Sequence, residues 1–142
     1  MNHLTTWLVK DKVILTCIQG ALRKQDLPEV DNRMITLFES SQSNQIHVLS
    51  DISMMTTMPG IFDMSKLQYI RHPKIGYFIT QSRNPVEEFI GNTVGQMIKS
   101  KYQFVKTLDE GIEYLTQIDK NLPSISEMQQ QASNLLEDFV SN

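Results

Sequence analysis

Residues 3–9 and 13–19 alternate or run apolar, are rich in Thr, Val and Ile, and flank the polar turn Lys10-Asp11-Lys12. Two such runs about a short polar turn predict a β-hairpin, with Gly20 closing the second strand. Asp26-Leu27-Pro28-Glu29 reads as a helix start. Asp26 can accept orphan N–H bonds, Pro28 is tolerated in a first turn, and Glu29 suits the positive end of the helix dipole. Leu27, Val30, Met34, Leu37 and Phe38 then recur at helical spacing as one apolar stripe, which the polar run 40–44 closes.

Residues 46–51 (IHVLSD) form a short, largely apolar strand, and a methionine-rich connection over 52–60 follows, punctuated by Pro59-Gly60. A short helix is predicted over 61–70, buried through Ile61, Leu67 and Ile70 and stopped at His72-Pro73. Residues 75–80 (IGYFIT) make the next strand. Asn84 caps a helix with Pro85 in its first turn and Glu87 and Glu88 at its positive end. Val86, Phe89, Ile90, Val94, Met97 and Ile98 form that helix's buried face. A strand over 102–106 runs into the capping box Thr107-x-x-Glu110, which opens a helix with Leu108, Ile112, Leu115 and Ile118 inward.

Pro123 marks a boundary, and Ile125, Met128, Ala132, Leu135, Leu136 and Phe139 share one face of a final amphipathic helix. The order is β-β-α-β-α-β-α-β-α with an extra C-terminal helix, which predicts an α/β domain over 1–122 and a separate helical tail over 123–142. Alternating strands and helices imply right-handed crossovers and a mixed, mainly parallel sheet, to which the hairpin adds an antiparallel edge.

Composition narrows the functional classes. With 142 residues and 40% hydrophobic positions, a core can form without staples. The single cysteine, Cys17, excludes an intrachain disulfide, and eight methionines suit a reducing compartment. The N-terminus lacks a basic stretch leading into an apolar one, and no run approaches the ~18 residues of a membrane span. A cytoplasmic location is the expectation. Net charge is −3 and basic residues are scattered, which argues against nucleic-acid binding.

This element order resembles the STAS domains, the sulphate-transporter and anti-sigma-factor-antagonist fold, and in particular the bacterial sporulation anti-sigma-antagonist-like (SpoIIAA-like) group. The residues that carry the resemblance are the hairpin, the strand ending Val48-Leu49-Ser50-Asp51, the segment His72-Pro73-Lys74-Ile75-Gly76-Tyr77, and Phe104 to Ile112, where a strand enters a capped helix. It covers residues 3–120. The resemblance implies binding of partner proteins, nucleotides or small ligands, generally without catalysis. Phospho-switch members carry an Asp-Ser-Ser-Gly-like motif after the third strand. Here the segment reads Ser53-Met54-Met55-Thr56-Thr57-Met58-Pro59-Gly60, so no switch residue is carried over, although Thr56 and Thr57 supply hydroxyls nearby.

Candidate chemistry is sparse. His3, His47 and His72 fall on different elements, and with Cys17 on another strand they make no metal set; no metal or cofactor is expected. Cys17 shares a strand face with Val13 and Leu15 and reads as an inert core thiol rather than a nucleophile. Neither a phosphate loop nor a nucleophile elbow is present. Gly91-x-x-x-Gly95 lies within a helix and offers a smooth face for close packing, against the sheet or a second subunit. Asp51 and the Ser82-Arg83-Asn84 segment follow strand ends, where open α/β sheets hold ligands; an Asx turn and a helix cap are the plainer reading.

The unusual feature is methionine. Met54, Met55, Met58 and Met64 cluster beside Ile61 and Phe62. Such flexible, polarizable side chains either plug a core or surface a patch that accommodates apolar partners. The candidate binding residues are therefore Met54, Met55, Met58, Phe62 and Met64. The leading function is a non-catalytic regulatory or protein-interaction module, a homodimer with a further protein partner. The alternative is a carrier of a small apolar ligand held between the methionine-rich loop and neighbouring helices. An enzyme, built on Asp51, Arg83 and His47 or His72 around one cleft, is the third. The C-terminal helix folds on its own domain or exchanges with a second subunit.

Overall fold

The computed structural model describes residues 2–82, 92, 93, 95, 96 and 101–141. Strands β1 (Asn2–Val9) and β2 (Val13–Ala21) form the antiparallel hairpin, with Thr5 opposite Thr16. Its turn closes through Lys12 N–H to Val9 O at 3.0 Å, and Asp11 adopts φ +65°, a left-handed conformation that aspartate tolerates better than most residues. Helix α1 (Leu27–Ser40) crosses to β3 (Ile46–Asp51), which pairs parallel with β2. Strands β5 (Ile75–Gln81) and β6 (Lys101–Val105) extend the parallel part, giving the order β1-β2-β3-β5-β6. The architecture is the α/β mixed, mainly parallel sheet that the hydrophobic pattern predicts.

Both faces of the sheet are covered. On one, Ile14, Val48 and Phe78 meet Leu27, Val30, Met34 and Phe38 of α1. On the other, Val13, Leu15, Leu49 and Ile79 meet Ile112 and Leu115 of α3 (Leu108–Ile118) and Met128 and Ala132 of α4 (Ile125–Ser141). All six residues of β3 are buried, as the central strand of a doubly covered parallel sheet requires. Each large side chain so buried contributes roughly 1.5–3 kcal/mol. Helix α4 lies against α3 and β1 of its own chain and packs there through Met128, Ala132, Leu135 and Leu136.

Several local expectations need correcting. Strand β2 does not stop at Gly20 but runs through it, at φ +87°, to Ala21. That bend lets the strand end pair with a short strand inside the methionine-rich connection, β4 (Met55–Thr57), through Gly20 opposite Met55. The helix predicted over 61–70 is two pieces: α2 (Ile61–Met64) and a 3₁₀ turn, Tyr69–Arg71. The break follows from Asp31 on α1, whose carboxylate accepts the N–H groups of Gln68 at 2.9 and 3.0 Å and Tyr69 at 2.8 Å and so caps the second piece from outside. Leu67 and Ile70 are buried there, but Ile61 is only half-buried.

Asp26 makes no side-chain bond to the helix it precedes. It accepts Arg23 N–H at 2.8 Å and closes a 3₁₀ turn (Lys24–Asp26) ahead of α1. The capping box is also shared differently: Thr107 Oγ1 accepts Glu110 N–H at 3.2 Å, while Glu110 Oε2 takes the N–H of Lys106 rather than that of Thr107. Ile125, placed inward by periodicity, is exposed. The helix predicted from Asn84 to Ile98, with Gly91 and Arg83, lies outside the described residues apart from four positions. One of these is Gly95, where a Cβ would come within 2.9 Å of Tyr102 Cβ; the absent side chain allows that close approach.

Candidate functional site

The five candidate residues separate into different environments. Met55 belongs to the core, 7% exposed within the α1-side cluster. Met58 and Met64 are half-buried and pack against the same cluster, as does Ile61. Met54 is half-buried and is held by its carbonyl, which accepts Gly20 N–H at 3.1 Å. Phe62 stands apart at 72% exposure. On a four-residue helix only one side can face the sheet; Ile61 and Met64 take it, and Phe62 points away. The Lys66 ammonium lies 4.1 Å from the Phe62 ring centroid, a cation–π arrangement.

Lys66 also lines a cleft of about 300 Å³ that opens between the start of α1 and residues 63–68. Leu27, Pro28 and Leu67 supply its apolar lining, and Lys24 and Lys66 its cations. Lys24 Nζ stands 3.7 Å from Asp63 Oδ1 across it. Sequence reasoning singled out the methionines and passed over these lysines, which are remote from each other in the chain. The only signal available was that Lys66 falls one helical turn after Phe62.

Asp51, Cys17 and His72 are each engaged by the fold. Asp51 Oδ1 accepts the backbone N–H of Ser53 at 2.9 Å and its hydroxyl at 2.6 Å, a local Asx turn. Cys17 is fully buried, and burial above all, aided by the negative charge of Asp51, pushes its thiol up to about 12, so it carries no thiolate at neutral pH. His72 Nδ1 accepts Lys74 N–H at 3.1 Å, and its ring stacks on Phe38 at 4.9 Å. Thr56 and Thr57 are exposed on β4. Among the described residues no three His, Cys, Asp or Glu groups gather where they could hold a metal ion. No helix among them is long and apolar enough to cross a membrane.

His47 has a structural role that its sequence position does not disclose. It is 1% exposed near the start of β3, where pairing with β5 slips by one residue between Ile46–Ile75 and Val48–Phe78. In the slip, Tyr77 donates its N–H to His47 Nδ1 at 3.0 Å. An imidazole accepting at Nδ1 carries its proton on Nε2 when neutral, and Nε2 faces Asp119 Oδ2 at 3.4 Å. Burial lowers the His47 pKa, Asp119 partly opposes that, and Lys12 adds to it. Gly76 is required beside the ring, because a Cβ there would lie 2.6 Å from Nδ1. The signal in the sequence was that lone glycine inside an apolar strand, which marks a bulge or a close approach.

His3 is the exception to this satisfaction. Its Nδ1 lies 3.3 Å from Thr5 Oγ1, while the buried Nε2 has no hydrogen-bond partner and faces Glu29 Oε1 at 3.7 Å. Desolvation, reinforced by Arg33, lowers its pKa against the pull of Glu29.

No family model matches the sequence, and no curated protein matches it. Among solved structures, the chain is similar to an uncharacterized protein of the DUF3478 family with a SpoIIAA-like fold from Shewanella loihica PV-4. The two share 12% identity over 80% of this chain and 94% of that one, with a TM-score of 0.63. It is also similar, at 11% identity over 80% of this chain and 93% of the other, to an anti-sigma factor antagonist from Mycobacterium paratuberculosis, with a TM-score of 0.47. The fold is SpoIIAA-like, as the sequence resemblance implied.

Proposed function

We propose that this chain is a regulatory or protein-interaction module without catalysis of its own, and that it meets its protein partner through the surface around Phe62, flanked by Met54, Met58 and Met64. The observation that carries this reading is the 72% exposure of Phe62 on a segment whose other large apolar residues turn toward the core. The reading rests on the ring's place beside the half-buried methionines, since aromatic residues and Met are enriched where partners dock. Support also comes from the buried ionisable groups: Asp51, Cys17 and His47 serve turns and packing, which leaves none of them poised for proton transfer.

A photo-crosslinking amino acid placed at position 62 in living cells tests the reading, with position 130 on the exposed side of α4 as the control. One protein species captured from position 62 and not from 130 is the expected result; no species specific to position 62 sinks it. The competing reading, a carrier of a small apolar ligand, draws on the partial burial of the flexible Met54, Met58 and Met64 along one edge. Native mass spectrometry separates the two, since a carrier retains its small molecule through purification. The same spectrum tests the homodimer that forms part of the proposal, which appears at twice the chain mass.

A further inference from the structure

Resting on the interaction-module reading, we infer that the cleft between the start of α1 and residues 63–68 takes an acidic peptide segment of the partner protein. An apolar side chain of that segment enters over Leu27 and Leu67, and its carboxylates meet Lys24 and Lys66.

Three observations converge on this occupant. The first is charge. The chain carries a net −3, yet the groups that protrude at this cleft are cationic: Lys24 has 73% of its side chain exposed, and Lys66 is exposed as well. The carboxylates of the lining are withdrawn. Asp31 spends both oxygens on the N–H groups of Gln68 and Tyr69, and Asp63, with 25% of its side chain exposed, faces Lys24. An approaching segment therefore meets ammonium groups first, and such complementarity selects acid-bearing partners and speeds their encounter.

The second observation is shape. A volume of about 300 Å³ sits at the low end for small-molecule sites, ~300–1,000 Å³, and suits the few side chains that a peptide inserts. Its apolar lining is Leu27, Pro28 and Leu67, and Lys66, which also lines it, carries its ammonium 4.1 Å from the exposed Phe62 ring, so one cation borders both the groove and the ring. A carboxylate can pair with the Lys66 ammonium while the ammonium keeps its place over the ring.

The third is that the walls are already fixed. Asp31 ties residues 68 and 69 to α1, and the Lys24–Asp63 contact spans the rim. A site whose walls are held before binding loses little ordering entropy when it is filled.

The probe is a displayed library of short random peptides selected on the full chain. The best binder is then synthesised and titrated into isotope-labelled wild type, Lys66→Glu, and Lys24→Glu/Lys66→Glu. Lys66→Glu leaves the Lys24–Asp63 contact intact, and thermal melts confirm that each variant is folded. The expected result is enrichment of sequences with Asp or Glu beside an apolar residue, shifts centred on Asn32, Leu67 and Gln68, and affinity that falls about tenfold or more in the double variant. Added salt weakens the same binding. Peptides that bind elsewhere overturn the cleft and leave the interaction module standing. Absence of any enrichment, enrichment without acidic residues, or affinity indifferent to charge reversal also overturns it. Acetate or citrate binding as tightly as the peptide shows a small-anion site instead and overturns the peptide.

Discussion

At the amino ends of β3 and β5, a polar ring is buried; beyond the carboxyl end of β3, an apolar ring is exposed. His47 is 1% exposed, yet both nitrogens are engaged, one by Tyr77 N–H and one facing Asp119. Phe62 is 72% exposed, and its ring lies against the Lys66 ammonium. Burial of a polar group is affordable only when its hydrogen bonds are remade, and here the sheet slips a residue to remake one. Exposure of a large apolar group has no such local compensation. The difference separates a side chain that the fold uses from one whose use, under the proposed interaction, lies outside the fold.

The largest effect expected from testing this contrast is at the buried ring. His47→Ala leaves Tyr77 N–H without its acceptor and opens a void, and should cost about 2–4 kcal/mol of stability in urea unfolding. Gly76→Ala drives a methyl into the ring and should cost about 1–3 kcal/mol. Combined, the two should cost clearly less than their sum, because the methyl then enters space the imidazole has left. Strict additivity would show that the glycine is there for some other reason.

Next in size is the staple behind the cleft. Asp31→Ala removes the acceptor of two backbone N–H groups and should cost about 1–2 kcal/mol. Its signature is regional: hydrogen exchange should quicken over residues 61–71 and stay slow in β3 and β5. Uniform loosening would mean that α2 and the following turn are not a separately held unit.

This staple also shows where sequence reading stops. Strands β3 and β5 were legible because a doubly covered strand must be apolar almost throughout, and α1 because one stripe faces one sheet. Strand β4 was not, since Met-Thr-Thr has no strand periodicity and pairs through the backbone where Gly20 bends β2. The split of 61–70 depends on a carboxylate more than thirty positions away in the chain, which on α1 reads as one polar residue among several. Of the site, the methionines drew notice by composition, but most of them lean on the core. The exposed Phe62 and Lys66 lie one turn apart in the chain, but Lys24 joins Lys66 at the cleft only in three dimensions.

A smaller effect should appear on acidification. The fold lowers the pKa of His47 and of His3, in both cases mainly by burial. A histidine held neutral binds fewer protons folded than unfolded, so its contribution is complete above the ordinary value of ~6.5 and is lost as pH falls toward the lowered folded value. Urea midpoints should therefore decline as pH drops below about 6.5. His47→Gln, whose amide can accept from Tyr77 N–H and donate to Asp119, should flatten part of that decline, and His3→Gln most of the remainder. A decline untouched by both would assign it to carboxylates.

The smallest expected change is the most informative about function. Phe62→Ser exchanges an exposed ring for a hydroxyl at a position where little packing is lost, and stability should move by no more than about 0.5 kcal/mol. A pure surface residue then predicts silence in every assay, whereas a docking residue predicts silence in unfolding and loss in binding. The two measurements must be made on the same preparation, since only the pair discriminates. A drop in stability comparable to that of Asp31→Ala would instead place the ring in the architecture of the cleft. The contrast with His47 would then be one of degree, and the exposed ring would no longer point to a partner.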